Sequence, residues 1–243
     1  MVLNIHSMDG ALYLQDSYLK ECDATVTSVK ENKFITLDKT IFYPTSGGQP
    51  HDTGTMASNG KTFNVLYVGK FDGTISHQIE PESLLRVDDK VHCTLNWERR
   101  YKLMRMHTAA HLVSAVMYNE SKVLITGNEL QPDKSRIDFD FDKSDAQLFE
   151  LFVKKANDAI KRSIPVKSYY LPREEAFKIP GIVKLAHVFP PDVKELHIVE
   201  IEGIDIEADA GTHVKNLAEI GEVIFLKTEN KGKGRKRLYY TVR

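Results

Sequence analysis

Two histidines, His107 and His111, stand four residues apart, and about 100 residues later Asp209 and His213 repeat that spacing. On a helix, side chains at i and i+4 leave one face a turn apart, so the first pair can close on a single metal ion. The same face continues through Leu103 and Ser114/Ala115 and is mostly apolar. H-x-x-x-H is a short motif that lacks the Glu of H-E-x-x-H, and alone it describes two ordinary buried histidines equally well. In Asp209-Ala210-Gly211-Thr212-His213 a carboxylate joins an imidazole, with Gly211 available for a tight bend between them. Alone, that segment also fits a turn-capping Asp beside a surface His. Together the four make a His3Asp donor set, with nitrogen and oxygen ligands that zinc accepts, closer to catalytic sites than to closed Cys-rich ones. The two cysteines, Cys22 and Cys93, are remote in sequence from this set, and no Ser-His-Asp or Cys-His arrangement suggests a covalent nucleophile.

The donors need elements to hold them. Asn96 can cap a helix, Glu98 falls in its first turn, and apolar or small residues recur with helical spacing to Met117, which puts His107 and His111 on that helix. Before Asn96 the chain reads as strands and turns with no helix. Cys22 to Lys30, Lys33 to Leu37 and Thr62 to Val68 alternate between turn signals at Asp38-Lys39, Asn59-Gly60 and Asp72-Gly73, a spacing that suits a small antiparallel barrel or sandwich. Beyond the helix, Ser135 to Phe141 reads as a strand. Asp145 to Arg162 reads as an amphipathic helix with Leu148, Leu151, Phe152, Ala156 and Ile160 on one face. Strands resume at Pro165 to Leu171. A Pro/Gly-rich connection follows from Ile179 to Asp192, then strands at Glu195 to Ile201 and Glu222 to Lys227, and a return strand from Arg237 to Val242 after a turn within Asn230 to Gly234. The expectation is an α+β protein with antiparallel sheets and segregated helices. It divides into a barrel-like domain over residues 1–95 and a two-layer α+β domain over 96–243 that carries the donor set.

At 243 residues with 42% hydrophobic and 28% charged, the chain can bury a core, which excludes disordered and collagen-like classes. No apolar run approaches the roughly 20 residues that span a bilayer, and the N-terminus lacks a secretory pattern. With two cysteines the expectation is a reduced, cytoplasmic protein. The net charge is −1, so nucleic-acid affinity would have to come from a local cluster. One exists: Lys227, Lys231, Lys233, Arg235, Lys236, Arg237 and Arg243 face only Glu229, a local net of +6. Gly232 and Gly234 keep the turn open for phosphate contact. Arg99, Arg100, Lys102 and Arg105 form a second cationic group on the helix leading to His107. A solvated face is the plain alternative for both.

The ordered motifs resemble one family. Phe42-Tyr43-Pro44-Thr45-Ser46-Gly47-Gly48-Gln49-Pro50-His51-Asp52-Thr53-Gly54, His107-Thr108-Ala109-Ala110-His111, Thr126-Gly127-Asn128, Tyr170-Leu171-Pro172-Arg173-Glu174-Glu175-Ala176, Gly211-Thr212-His213-Val214 and Glu219-Ile220-Gly221 follow one another over some 180 residues. They are similar to the freestanding alanyl-tRNA editing proteins (AlaX), of the medium-length type, related to the editing domain of alanyl-tRNA synthetase. The resemblance implies a trans-editing hydrolase with one Zn²⁺ per chain, which deacylates tRNA(Ala) carrying serine and, it remains open, glycine. It implies neither a membrane nor a DNA partner. The family's second metal motif has Cys where this chain has Asp209, a harder ligand that would weaken zinc and let Mn²⁺ or Mg²⁺ compete. The N-terminal glycine-rich segment goes with serine removal. Gly47 and Gly48 would allow close backbone approach and Gln49 would offer an amide. Thr126 is the candidate for sensing the serine hydroxyl, and a turn-capping Thr is the competing reading. Lys231, Lys233, Arg235, Lys236 and Arg237 would meet tRNA. The competing functions are a catalytically inactive tRNA-binding homologue and a metallohydrolase of a small ester or amide.

Overall fold

The computed structural model describes residues 10–141, 146–180, 182, 193–232 and 234–243. It forms two compact units, Met1–Tyr101 and Lys102–Arg243.

The first unit is a closed six-stranded antiparallel barrel. Its strands are β1 (Glu21–Lys30), β2 (Phe34–Leu37), β3 (Gly54–Ser58), β4 (Lys61–Phe71), β5 (Thr74–Glu80) and β6 (Lys90–Leu95), in the order β1-β2-β5-β4-β3-β6. Alternation places Ala24 and Val26 of β1, and Val91, Cys93 and Leu95 of β6, in one core with Ile35, Phe42 and Met56. In β4 the inward set changes parity, from Phe63 and Val65 to Val68, because a bulge between Val65 and Tyr67 adds one residue. A single helical turn, α1 (Leu12–Gln15), precedes β1, so the expectation of no helix before Asn96 is corrected. Cys22 and Cys93 are free and sit opposite each other across β1 and β6.

The glycine-rich segment lies in this unit. Ser46 and Gln49 exchange backbone hydrogen bonds of 2.8 and 3.1 Å around Gly47 and Gly48, which both take positive φ, 56° and 85°. This tight hairpin turn requires glycine-like freedom at its two central positions. Its base rests on a buried ion pair. The Arg100 guanidinium donates through Nε to both Asp52 oxygens at 3.1 and 3.0 Å, through Nη2 to Ile41 O at 2.6 Å and through Nη1 to Ser17 O at 2.9 Å. Asp52 in turn accepts the Tyr43 N–H at 2.6 Å.

The long helix α2 (Trp97–Ser121) begins as expected, with Asn96 Oδ1 accepting the Arg99 N–H at 3.2 Å. The boundary between the units falls within it. The second unit also contains β7 (Ile125–Glu129), β8 (Ser135–Asp140), α3 (Ala146–Ile160), β9 (Val166–Pro172), the turn α4 (Arg173–Ala176), β10 (Glu195–Ile201), β11 (Asp205–Ala208), a 3₁₀ turn Leu217–Ile220, β12 (Val223–Asn230) and β13 (Arg235–Val242). One antiparallel sheet runs β12-β13-β8-β7 and another β11-β10-β9. The architecture is thus α+β with segregated antiparallel sheets, as the sequence suggested.

Tyr240 on β13 donates to Met106 O at 2.8 Å, tying α2 to the four-stranded sheet, and Asn157 of α3 bonds both backbone groups of Val223 at 2.8 Å. The buried face of α3 is Phe149, Phe152, Val153, Ala156, Ala159 and Ile160. Leu151, expected on that face, is 45% exposed, because the i, i+3, i+4, i+7 series that packs starts at Phe149 rather than Leu148. Most of the Ile179–Asp192 connection lies outside the described residues, as does Asp145. Among the described residues no helix is long and apolar enough to cross a membrane.

Candidate metal centre

His107 and His111 project from the middle of α2, and Asp209 and His213 from the loop after β11. One donor atom from each of the four lies within 4.8 Å of the others. The ring centroids of His107 and His213 are 4.3 Å apart, those of His111 and His213 4.9 Å, and those of His107 and His111 5.1 Å. The three histidines are nearly sealed, at 2, 7 and 5% exposed, while the Asp209 side chain is 20% exposed, so the cluster opens at its carboxylate edge. Asp209 Oδ2 lies 3.0 Å from His213 Nε2, and Oδ1 3.7 Å from His107 Nε2.

His213, Asp209 and His111 are each held from behind. Thr108 Oγ1 is 3.1 Å from His213 Nδ1 and accepts the Val214 N–H at 3.2 Å, pinning the loop to α2. Farther along the loop, Asn216 and Glu219 form a capping box on the 3₁₀ turn, and Arg105 donates to Ile220 O at 2.6 and 3.1 Å. Asp209 is clamped through its backbone: its N–H donates to His197 O at 3.0 Å, and its carbonyl lies 2.5 Å from His197 Nδ1. Asp209 Oδ2 also accepts the Gly211 N–H at 2.6 Å. His111 turns Nδ1 toward two carboxyl groups of β11, Glu207 Oε2 at 3.0 Å and Asp205 Oδ2 at 3.3 Å.

Gly211 lies at the expected bend, where its N–H closes a turn onto Asp209 Oδ2, and it serves a second purpose. A Cβ there would stand 2.2 Å from His107 Cε1 and 2.4 Å from Nδ1, so the missing side chain is the space that the His107 ring fills. Burial pushes His107 well below the usual imidazole range, with Asp209 pulling the other way, and pushes His213 down as well. Asp209 goes below the usual carboxylate range against its own burial, drawn by the His107 and His213 rings. Neutral His107 and His213 rings, with His111 as a third nitrogen donor, beside an ionised carboxylate and in a cradle shaped by a glycine, are a donor set that fits a divalent ion of borderline hardness such as Zn²⁺.

The other expected site residues have mixed surroundings. Thr126 is the extra residue of a bulge between Ile125 and Gly127 on β7, and its side chain is exposed. Gly47 and Gly48 are exposed, whereas Gln49 is fully buried and does not present its amide on the surface. On the basic hairpin, Lys231 and Arg235 are exposed, Lys236 is 8% exposed, and Arg237 is bound by Asp138 at 2.6 and 2.8 Å; Lys233 lies outside the described residues. The helix cations are not a free basic face. Arg100 is fully buried on Asp52, Arg99 donates to His51 O at 3.1 and 3.3 Å, and Arg105 is spent on Ile220. Sequence reasoning missed Asp205, Glu207, His197 and Thr108. The signal was present for the two missed acidic residues: 205 and 207 alternate with period two on one strand, so they share a face.

Two family models match: tRNA synthetases class II (A) over residues 12–99, and the threonyl and alanyl tRNA synthetase second additional domain over residues 196–239. The alanyl-tRNA editing protein AlaX-M of Methanosarcina barkeri is 48% identical over 241 residues, covering 97% of this chain and 99% of that one. That of Saccharolobus solfataricus is also 48% identical, over 97% and 100%. The alanine–tRNA ligase of Methanococcus aeolicus is 36% identical over 95% of this chain but only 25% of its own length. With such identity along nearly the whole of both chains, the protein belongs to the family of AlaX-M alanyl-tRNA editing proteins.

Proposed function

We propose that this chain hydrolyses the ester that joins serine to tRNA(Ala), acting in trans in the cytoplasm, with one Zn²⁺ held by His107, His111, Asp209 and His213. The observation that carries this reading is the convergence of those four donors within 4.8 Å, in a chain of the editing family. The need for such an activity is physical: a pocket shaped for alanine rejects a substrate with an added hydroxyl by only ~1–3 kcal/mol, so accuracy requires a second hydrolytic step.

When bound, the ion supplies Lewis acidity and an anchor for the substrate's amino and carbonyl groups, and four protein donors favour the anchoring role. Around it, this chain's residues orient and exclude. The three sealed histidines keep water from the back of the site, and the open Asp209 edge leaves one direction of approach. The exposed Thr126 hydroxyl is the group assigned to the serine side chain, on a bulge that aims it out of the β7 ladder. Gly47 and Gly48 give a turn free of side chains for contact with the substrate, and Gln49 supports that turn from the interior. Lys231 and Arg235, with Lys233 between them, are assigned to phosphates. Lys236 is nearly buried and Arg237 is held by Asp138 of β8, so theirs is the smaller part in phosphate contact. Both cysteines belong to the barrel, which supports hydrolysis by water rather than through a covalent intermediate.

The test is deacylation of seryl-tRNA(Ala) before and after chelation, with alanyl-tRNA(Ala) as control. Serine release that stops on chelation and returns with Zn²⁺, with the alanyl ester left intact, is the expected result. Cleavage of a simple ester with seryl-tRNA(Ala) untouched would replace the reading with a small-molecule metallohydrolase; tRNA binding without hydrolysis would replace it with a binding module.

A further inference from the structure

Beside His111 Nδ1 stand two carboxyl groups that the proposed reaction does not use. Asp205 and Glu207 both come from β11, a strand of four residues. Alternation along it sends 205 and 207 to the same side, with Ile206 on the other. Pairing with β10 fixes the register, Asp205 opposite Ile201 and Glu207 opposite Val199, and the His197 clamp on Asp209 carries the same register into the metal loop. Both carboxyl groups are nearly sealed, with side chains 1 and 10% exposed, and both converge on one atom, His111 Nδ1, at 3.3 and 3.0 Å. Burying two acids against one ring nitrogen is costly unless that nitrogen carries a hydrogen to share between them. An imidazole with its hydrogen on Nδ1 has its lone pair on Nε2.

We infer that Asp205 and Glu207 are positioning residues that hold His111 as the Nδ1–H tautomer, so that Nε2 is the atom offered to the ion. This deepens the metal-dependent reading above and rests on it for its purpose. The arrangement follows a general rule of metal sites, in which the second nitrogen of a ligating imidazole donates to a carboxylate that fixes ring orientation and raises ligand basicity. It has particular weight in this chain because Asp209 is a less firmly held zinc ligand than a thiolate, leaving more of the affinity to the three imidazoles. His213 is served differently, by the Thr108 hydroxyl, so the two rings are oriented by unlike partners. The competing use of the same atoms is a second ion held by His111 Nδ1, Asp205 and Glu207. Alongside the first ion, that use would require the one imidazole to give up its single N–H and bridge two ions as imidazolate.

The experiment reads the tautomer directly. Imidazole ¹⁵N spectra of the full chain, stripped of metal, are recorded for the unaltered protein and for the Asp205→Asn/Glu207→Gln double variant, with His111 assigned through His111→Gln. Zinc affinity is measured on the same preparations by competition with a chromophoric chelator. The expected result is a protonated Nδ1 and bare Nε2 in the unaltered protein. In the double variant the amide groups can donate to Nδ1, so the Nε2–H form should appear and zinc affinity should fall about tenfold to a hundredfold, with circular dichroism unchanged. A bare Nδ1 in the unaltered protein, or a double variant with unaltered tautomer and affinity, overturns the inference. So does binding of two ions per chain with the second lost in the double variant. Failure of the unaltered protein to bind zinc would refute the metal reading instead, and the tautomer would still decide this one.

Discussion

The glycine at 211 is the most sensitive backbone position in the cluster, and replacing it with alanine tests the geometry of the whole centre. An added Cβ would lie 2.2 Å from His107 Cε1, 2.4 Å from Nδ1 and 2.8 Å from Asp209 Oδ2. Carbon atoms in contact prefer about 3.5–4.0 Å, so ring and methyl must separate by more than 1 Å, roughly. Ligand positions in a working site tolerate only about ±0.2 Å, so either His107 leaves the donor set or the 209–213 loop carries Asp209 and His213 away from it. Loss of one ligand should lower zinc affinity at least a hundredfold, or by about 2.8 kcal/mol. The overpacking itself should cost about 1–3 kcal/mol of stability. Isothermal titration with Zn²⁺ reads the first effect and urea unfolding in chelator the second. Gly127→Ala is the control, since its added Cβ would meet nothing closer than 3.7 Å. Gly211→Ala with unchanged zinc affinity would refute the cradle argument, because it would mean that His107 does not need the space that the glycine leaves.

Asp52→Ala should destabilise the barrel unit by about 3–5 kcal/mol in urea, because it strands a fully buried guanidinium; adding Arg100→Met should recover part of the loss, and a cost below about 1 kcal/mol would refute the ion pair's role. His77 donates through Nδ1 to Ile35 O at 2.9 Å and accepts from Thr40 Oγ1 at 2.8 Å in the barrel core, where burial lowers it to about 4. The unfolded chain therefore binds the extra proton between about 6.5 and 4: stability is complete above that window and falls by about 3 kcal/mol as pH drops through it. His77→Phe should flatten this acid limb in urea titrations at pH 7 and 4.5, and an unaltered slope would sink the assignment. Asp209→Cys should hold or raise zinc affinity, since thiolate is the firmer ligand, whereas Asp209→Ala should lower metal content; equal content in the alanine variant would remove Asp209 from the site.

Much of this molecule was legible from local pattern. Strands of the barrel, the Asn96 cap and the antiparallel class follow from alternation, turn residues and periodicity, because each of those signals is contained within a few neighbouring residues. What was not legible depended on a distant partner. Arg100 reads as one of a run of helix cations until Asp52, 48 positions earlier, is seen to take its charge into the interior. Leu151 is as apolar as Phe152, and only the position of β12 against α3 decides which of them packs. Gln49 was expected to offer its amide outward, yet it lies wholly buried beside two exposed glycines.

The centre itself divides along the same line. His107, His111, Asp209 and His213 are visible as spacings, because a helix turn and a short loop each bring two donors together locally. Their supports are not visible as spacings. Asp205 and Glu207 look like the solvent face of an edge strand, and only the 94-residue separation closed by the fold puts Asp205 against His111. Gly211 was legible as a bend, and the chain does bend there, but its second reason was not: its φ is not positive, so what requires a glycine is the His107 ring, arriving from a helix about 100 residues away. Ligands chosen for their own chemistry can be read one at a time, whereas the residues that aim them exist only relative to another element. For that reason the outer carboxyl groups and the glycine cradle, rather than the four donors, are where variants of this chain should separate a centre that merely contains ligands from one that holds them in place.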